Sequence, residues 1–184
     1  MKRTKILLAV AVATMALSAV GASSASATIY NANFSTTSFK LSTTGVTIKR
    51  NGAEAKTCTA SINMSNLGSG NFIGSNESSG RTLFLCDGGA SGLYMRMVGR
   101  AKYDSVAEKY YLEIYSYNES MQSPWSWYFQ YSQKWTWVNG SGTTPSTVTL
   151  NEQLIGYTTT GQPITMSGTF TAKTSTGGLV TLSH

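Results

Sequence analysis

The stretch that decides the fold reads Trp125-Ser-Trp-Tyr-Phe-Gln-Tyr-Ser-Gln-Lys-Trp-Thr-Trp137. Large aromatic residues occupy almost every second position of it, and the positions between them are mostly polar. Alternation with period two predicts a β-strand, because successive side chains of a strand point to opposite faces. One face of this segment therefore carries a row of large rings, and the preceding segment, 110–117, is also rich in tyrosine.

This ring-bearing face has two interpretations. It forms the interior of a β-sandwich or barrel, or it is a partly exposed surface that contacts a sugar, a lipid surface or another protein. We expect part of it to be exposed, because the segment carries more ring surface than a small core easily accommodates, and because Trp N–H and Tyr O–H groups need hydrogen-bond partners. The residues predicted to include the ligand contacts are Tyr115, Tyr117, Trp125, Trp127, Tyr131, Trp135 and Trp137.

The first 27 residues predict a secretory signal peptide. Residues 2–5 form a basic start, residues 6–20 are apolar, and Ala25-Ser26-Ala27 is a typical small-residue cleavage site. The apolar run of about 15 residues is shorter than the roughly 20 needed to span a bilayer. The predicted mature chain, residues 28–184, has the length of one domain, and none of its segments is apolar enough for a membrane-spanning helix.

The positive charge of the sequence is concentrated in that predicted signal peptide. The formal net charge is +6 and falls to +3 once Lys2, Arg3 and Lys5 are removed. The remaining cations are scattered, apart from Lys49-Arg50 and the group at 96–102. No clustered basic patch of the kind that drives nucleic-acid binding is present in the sequence, so we expect no nucleic-acid partner.

The two cysteines, Cys58 and Cys86, predict one disulfide, because an even pair in an exported protein is usually bonded. Closing a loop of about 29 residues would stabilise the fold by roughly 3–4 kcal/mol. A metal site would need more ligands than the sequence offers, since the sole histidine is His184. A redox site would favour a closely spaced pair. We therefore expect no metal and no cofactor.

Short strand-like segments separated by turn residues recur through the predicted mature chain. This spacing, roughly 8–12 residues, is typical of all-β sandwiches and barrels. The predicted fold is a single all-β domain over residues 28–184, an antiparallel β-sandwich or barrel with one disulfide. Four strands are predicted in the C-terminal part, at 146–150, 154–157, 164–173 and 178–182.

Local signals specify a few connections. Asn51-Gly52 predicts a two-residue hairpin turn, because both residues tolerate the positive φ that such a turn requires. Residues 65–80 predict a loop that could hold a short strand at Phe72-Ile73. Gly99 predicts a bulge or a close backbone approach within a strand, and residues 105–109 predict one helical turn.

The sequence favours binding over catalysis. His184 lies at the end of the sequence, which argues against Ser-His-Asp and Cys-His arrangements. A carboxylate pair of the glycoside-hydrolase type is the remaining enzymatic alternative. Its first candidate is Glu113, which is predicted to share a strand face with Tyr111 and Tyr115. The other candidate carboxylates are Asp87, Asp104, Glu108 and Glu119.

Three kinds of binding are compatible with these features. The first is a surface or matrix-type protein that associates with itself or with a cell envelope, suggested by Ser/Thr/Gly-rich strands and few charges. The second is a lectin-like module that binds a polysaccharide through rings, amides and carboxylates. Membrane contact through interfacial Trp and Tyr ranks last.

Several short motifs resemble a known family. They are Phe39-Lys-Leu-Ser-Thr-Thr-Gly45, Cys58-Thr-Ala-Ser61 with a Gly/Ser-rich segment before Cys86, and Ser167-Gly-Thr-Phe-Thr171. Together they resemble small exported bacterial proteins labelled alkane-oxidation activators. The resemblance covers under a third of the predicted mature chain. It implies an extracellular or envelope β protein and transfers no catalytic residue.

Overall fold

A computed structural model describes the protein over residues 27–75, 82–87, 92–95, 97–116, 127–129 and 132–184. Within these ranges the chain forms β-strands joined by turns and bends, and none of it is helical, so the all-β prediction is confirmed. The strands are β1 (Ile29–Asn31), β2 (Asn33–Phe34), β3 (Ser38–Arg50), β4 (Glu54–Gly68), β5 (Asn71–Ser75), β6 (Thr82–Cys86), β7 (Gly92–Met95), β8 (Met97–Asp104), β9 (Lys109–Ser116), β10 (Trp127–Phe129), β11 (Gln133–Val138), β12 (Ser146–Thr158), β13 (Pro163–Lys173) and β14 (Leu182–Ser183).

Eight of these strands close into an antiparallel barrel. Their order around the barrel is β5, β8, β9, β11, β12, β13, β3 and β4, and β5 pairs with both β8 and β4 to complete the circle. Of the two architectures predicted from the sequence, sandwich or barrel, the protein therefore adopts the barrel. The closing strand contains Phe72-Ile73, so the short strand foreseen inside the predicted loop is present.

The remaining strands extend the barrel. β1 pairs with the end of β8 that lies beyond β5, and β10 pairs with the end of β12 that lies beyond β11. β6 pairs with β4 and continues into β7 as a hairpin. β14 and β2 form a separate two-stranded sheet. Phe34 of this small sheet packs on Phe39, Phe72 and Trp137. Because those rings come from three different barrel strands, the small sheet covers one opening of the barrel.

The predicted disulfide is confirmed and joins β4 to β6. Cys58 and Cys86 occupy opposite positions of the two strands, with their Cα atoms 3.9 Å apart. The bond closes a loop with a sequence separation of 28 residues. That loop contains β5, so the disulfide brackets the strand that closes the barrel.

The structure modifies one local prediction and confirms another. Asn51 and Gly52 do have positive φ, but the hairpin loop also includes Ala53, because Arg50 pairs with Glu54. Gly99 is a close approach: a Cβ there would lie 2.2 Å from the carbonyl oxygen of Glu113 in β9.

Two further predictions were wrong in detail. Residues 105–108 form a hydrogen-bonded turn rather than a helical turn, because Asp104 Oδ1 accepts the backbone N–H groups of Val106 and Ala107 and fixes the β8–β9 connection. The separate strands predicted at 146–150 and 154–157 are one strand, β12, whose register shifts around Glu152.

Candidate functional site

Two of the predicted contact residues lie in the barrel core. Trp135 is 0 % exposed and Trp137 is 2 % exposed, so neither indole can contact a ligand, and their assignment as contact residues was wrong. The period-two prediction itself was right, because burial alternates without exception along β11. The ring-bearing face of this strand is the inside of the barrel.

Small residues occupy several inward positions of the barrel and leave room for these rings. The inward positions of the other strands include Gly74 and Gly99 and the buried side chains of Ala60, Ala101, Ala172 and Ser146. Volume saved at those positions is available to the indoles, since protein interiors fill to a nearly constant density. The number of rings in one segment therefore gave too high an estimate of the volume that the core must enclose.

Both indole N–H groups find partners inside the protein. Trp135 Nε1 donates to Gln133 Oε1 at 3.0 Å, and Trp137 Nε1 donates to Asn139 Oδ1 at 2.8 Å. In each case the acceptor lies two residues away, on the same face of the chain. The polar group of a tryptophan therefore needs no water here, which removes the second reason for expecting exposure.

For four other predicted contact residues, the side chain lies outside the described part of the structure. Tyr117, Trp125 and Tyr131 lie outside the described residues, and for Trp127 only the backbone is described, paired with Thr158. Their role as ligand contacts stays a prediction.

Tyr115 is the predicted contact residue that the structure places at the surface. Its side chain is 39 % exposed, on the outer face of β9. It borders an open groove of about 510 Å³ between the ends of β4, β5, β8 and β9, which we call the Tyr115 groove. The groove is lined by Leu67, Asn71, Phe72, Val98, Gly99, Arg100 and Tyr115.

The apolar wall of the Tyr115 groove faces solvent. Leu67, near the end of β4, is 64 % exposed, the highest value among the large hydrophobic side chains that the structure describes as exposed. Val98 of β8 lies directly opposite Tyr115 in the antiparallel ladder. A ring flanked by an exposed leucine and a half-buried valine is a surface that a ligand with an apolar face could cover.

Hydrogen bonds hold the polar wall in place. Arg100 Nε donates to Asn71 Oδ1 at 2.8 Å, and Asn71 Nδ2 donates to the carbonyl oxygen of Gly68 at 3.0 Å. Asn71 and Arg100 are also paired residues of β5 and β8. The guanidinium is thus tied to the strand that closes the barrel.

Glu113 fixes the tyrosine. The Tyr115 hydroxyl donates to Glu113 Oε2 at 2.6 Å. This hydrogen bond to a carboxylate, followed by partial burial and the charge of Glu113, raises the pKa of Tyr115 to about 12, while Arg100 acts in the opposite direction. The phenol therefore stays neutral and keeps donating throughout the physiological pH range.

The titration of Tyr115 tests this geometry. Because its pKa in the folded protein exceeds the ordinary value of 10.0, the Tyr115–Glu113 interaction stabilises the fold fully below about pH 10 and is lost as the pH rises toward 12. We expect the Tyr115 phenol to titrate near pH 12 in NMR spectra of tyrosine-labelled protein, with its signal assigned by its disappearance in Tyr115→Phe. In Glu113→Gln the pKa of Tyr115 should fall toward 10, and an unchanged value would contradict the assignment.

A glycoside hydrolase would need a second carboxylate near Glu113, and the described residues of the groove do not provide one. Among the described residues, none of those that line the Tyr115 groove is acidic, and Glu113 lies beside it, bonded to Tyr115. Asp104 lies four positions along β8 from Arg100, the partner of Glu113, and its carboxylate accepts turn hydrogen bonds. The structure thus supplies structural explanations for both of these candidate acids.

A second group of rings was not anticipated from the sequence. His184 stacks on Tyr103 with ring centroids 3.7 Å apart, and its Nδ1 lies 3.0 Å from the hydroxyl of Tyr110. The exposed Tyr30 lies beside them. These residues come from β1, β8, β9 and the C-terminal segment, so no local pattern could have grouped them.

Comparisons with protein-family models, with curated proteins and with solved structures give no match. The resemblance to alkane-oxidation activators therefore stays a prediction. In the described part of the chain, no helix is long and apolar enough to cross a membrane. No group of three or more His, Cys, Asp or Glu residues that could hold a metal ion occurs among the described residues.

Proposed function

We propose that the protein is an exported, non-enzymatic binding protein that contacts a polysaccharide of an extracellular matrix or cell envelope through the Tyr115 groove. The observation that carries this proposal is the exposed Tyr115 ring, held by Glu113 beside the exposed Leu67. The disulfide supports export, because such bonds persist mainly in oxidising compartments.

The groove has the physical properties of a saccharide subsite. A sugar ring presents an apolar C–H face and a rim of hydroxyl groups, so it needs an exposed flat side chain and nearby polar groups. Tyr115 supplies the ring, and its bonded hydroxyl limits how far that ring can rotate. A side chain already held in its bound orientation loses less entropy when the ligand arrives.

The polar wall supplies the hydrogen-bonding groups. Asn71 and Arg100 line the same groove as Tyr115 and already hydrogen-bond each other, so their positions are set before binding. A few fixed polar groups on one side of an apolar surface are the usual means of orienting a small ligand.

Removal of the Tyr115 ring is the direct test. In a binding screen against immobilised polysaccharides, Tyr115→Ala should weaken binding by at least tenfold, because truncation of an aromatic contact of this kind costs about 2 kcal/mol or more. Tyr157→Ala is the matched control, since Tyr157 is 41 % exposed on β12 and does not line the groove. Equal binding by the two variants would contradict the proposal, provided both unfold at the wild-type denaturant concentration.

Self-association is the second candidate function, and the end of the sheet favours it. Among the described strands, β7 pairs only with β6, which leaves its other edge available to a second chain. Exposed Leu85 lies on the neighbouring strand β6. Light scattering that shows concentration-dependent assembly, in a protein that binds no polysaccharide, would favour this function over the first.

A further inference from the structure

The geometry points to an acidic polysaccharide, one that carries carboxylates on its sugar rings, as the ligand of the Tyr115 groove, with Arg100 as the residue that binds the carboxylate. This inference rests on the proposed function and narrows it to one chemical class of ligand. It depends on which groups the charged side chains around the groove contact.

Arg100 does not form an ion pair with the carboxylate that lies opposite it in the sheet. Glu113 is its directly opposite residue across β8 and β9, the arrangement in which an ion pair ordinarily forms. Yet among the described residues Arg100 forms no ion pair within 4.0 Å. Oxygen Oε2 of Glu113 instead accepts the Tyr115 hydroxyl.

The guanidinium is therefore positioned by a neutral group. Its Nε nitrogen is bound by the amide oxygen of Asn71, while within the described chain no carboxylate lies within 4.0 Å of Arg100. The two terminal nitrogens can then donate together to one ligand. A guanidinium binds a planar carboxylate through two parallel hydrogen bonds, a geometry that a neutral hydroxyl group cannot match.

Two of the other cations on this outer face have neutral partners. Lys102 Nζ donates to Asn31 Oδ1 at 2.9 Å, and Lys134 Nζ lies 5.0 Å from the centroid of the Tyr111 ring. Lys109 and Asp104, opposite residues of β9 and β8, also lie on this face, so four positive charges stand against the two negative charges of Glu113 and Asp104, a local excess of +2. The face is thus positive without being neutralised by the described part of the chain, and it attracts an anionic polymer.

Arg100 and Lys134 lie at the two ends of a row across three strands, with Glu113 between them. Arg100, Glu113 and Lys134 are successive partners across β8, β9 and β11. Neighbouring strands lie about 4.8 Å apart, so the row extends over about 10 Å. An extended acidic polysaccharide could place a ring on Tyr115, one carboxylate on Arg100 and a later one near Lys134.

Matched acidic and neutral polymers test the inference. The full protein is titrated with polygalacturonate and with alginate, and with the methyl-esterified form of each, which removes the charge and keeps the sugar ring. We expect at least tenfold tighter binding of an acidic polymer than of its ester. Arg100→Gln should weaken acidic-polymer binding by about tenfold or more and ester binding by much less, because only the acidic polymer loses a charge-assisted pair.

Lys173→Gln is the charge-matched control, since Lys173 is an exposed cation on β13, outside the groove. An equal loss in Lys173→Gln and Arg100→Gln would mean attraction by net charge alone and would overturn the inference. Equally tight, Arg100-dependent binding of polyglutamate would overturn it in favour of an acidic protein partner. Wild-type unfolding midpoints of both variants confirm that the fold is retained.

The experiment separates this inference from the proposed function. If acidic and esterified polymers bind equally, with Tyr115→Ala weakening both and Arg100→Gln affecting both to the same extent, the ligand class is wrong and the proposed function stands. If none of these polymers or a neutral panel binds in a Tyr115-dependent way, both fail.

Discussion

Trp135→Ala should destabilise the protein by about 3–5 kcal/mol, the range for removing a large buried ring. Trp135 is fully buried and stacks on Phe170, with ring centroids 5.6 Å apart. Its N–H also donates to Gln133, whose amide reaches the carbonyl oxygen of Ile155 in β12. The substitution therefore leaves a cavity and removes the donor that holds Gln133, whose own hydrogen bond to Ile155 links β11 to β12. Denaturant unfolding followed by circular dichroism measures the loss.

Two variants separate the contributions. Trp135→Phe keeps a ring against Phe170 and removes the N–H donor, so it should cost less, about 1–3 kcal/mol. Thr136→Ala changes the next residue, which is exposed on the outer face of β11, and should alter stability by no more than about 0.5 kcal/mol. A Trp135→Ala protein with wild-type stability and impaired ligand binding would contradict the buried position of this indole.

The contrast between Trp135 and Tyr115 shows what a sequence pattern can and cannot predict. Period-two alternation correctly divides β11 into two faces, because strand geometry imposes it. Which face is buried also depends on the whole barrel, where Ala101 and Ala172 of other strands leave room for the indoles. Tyr115 is exposed for a related reason: its neighbours Leu112 and Ile114 fill the inner side of β9.

The strand that closes the barrel illustrates a different limit. Locally, β5 is a short Phe72-Ile73 pair within Gly, Ser and Asn residues, a composition typical of loops. It becomes a strand because β4 and β8 both offer it backbone hydrogen bonds. The pairing with β8 joins segments distant in sequence, and strand formation depends strongly on that context.

The groove residues were missed for the same reason. Leu67, Asn71 and Arg100 belong to β4, β5 and β8, and the local signals for them were an apolar residue, Leu67, inside a predicted polar loop and the group of cations at 96–102, which includes Arg100. Cys58 and Cys86, in contrast, were paired correctly, because two cysteines allow only one intramolecular bond.

Replacement of both cysteines, in Cys58→Ala/Cys86→Ala, should lower the free energy of unfolding by about 3–4 kcal/mol, the loop-closure value for a separation of 28 residues. The loss of stability should affect one part of the structure first. β6 is paired with β4 over only three residue pairs, one of which is the disulfide itself, so the β6–β7 hairpin depends on this bond. The bonded loop also contains β5, the strand that closes the barrel against β8.

Chemical denaturation of the double variant, beside the oxidised wild type and the wild type reduced under native conditions, measures the effect. The reduced wild type and the double variant should agree, which separates the loss of the bond from the loss of the two sulfur atoms. Limited proteolysis should then cut first within β6 or β7 and only later in β12 or β13, because the latter pair along most of their length. Simultaneous cleavage of both regions would mean that the disulfide stabilises the barrel as a whole, since opening β5 releases every strand that depends on closure.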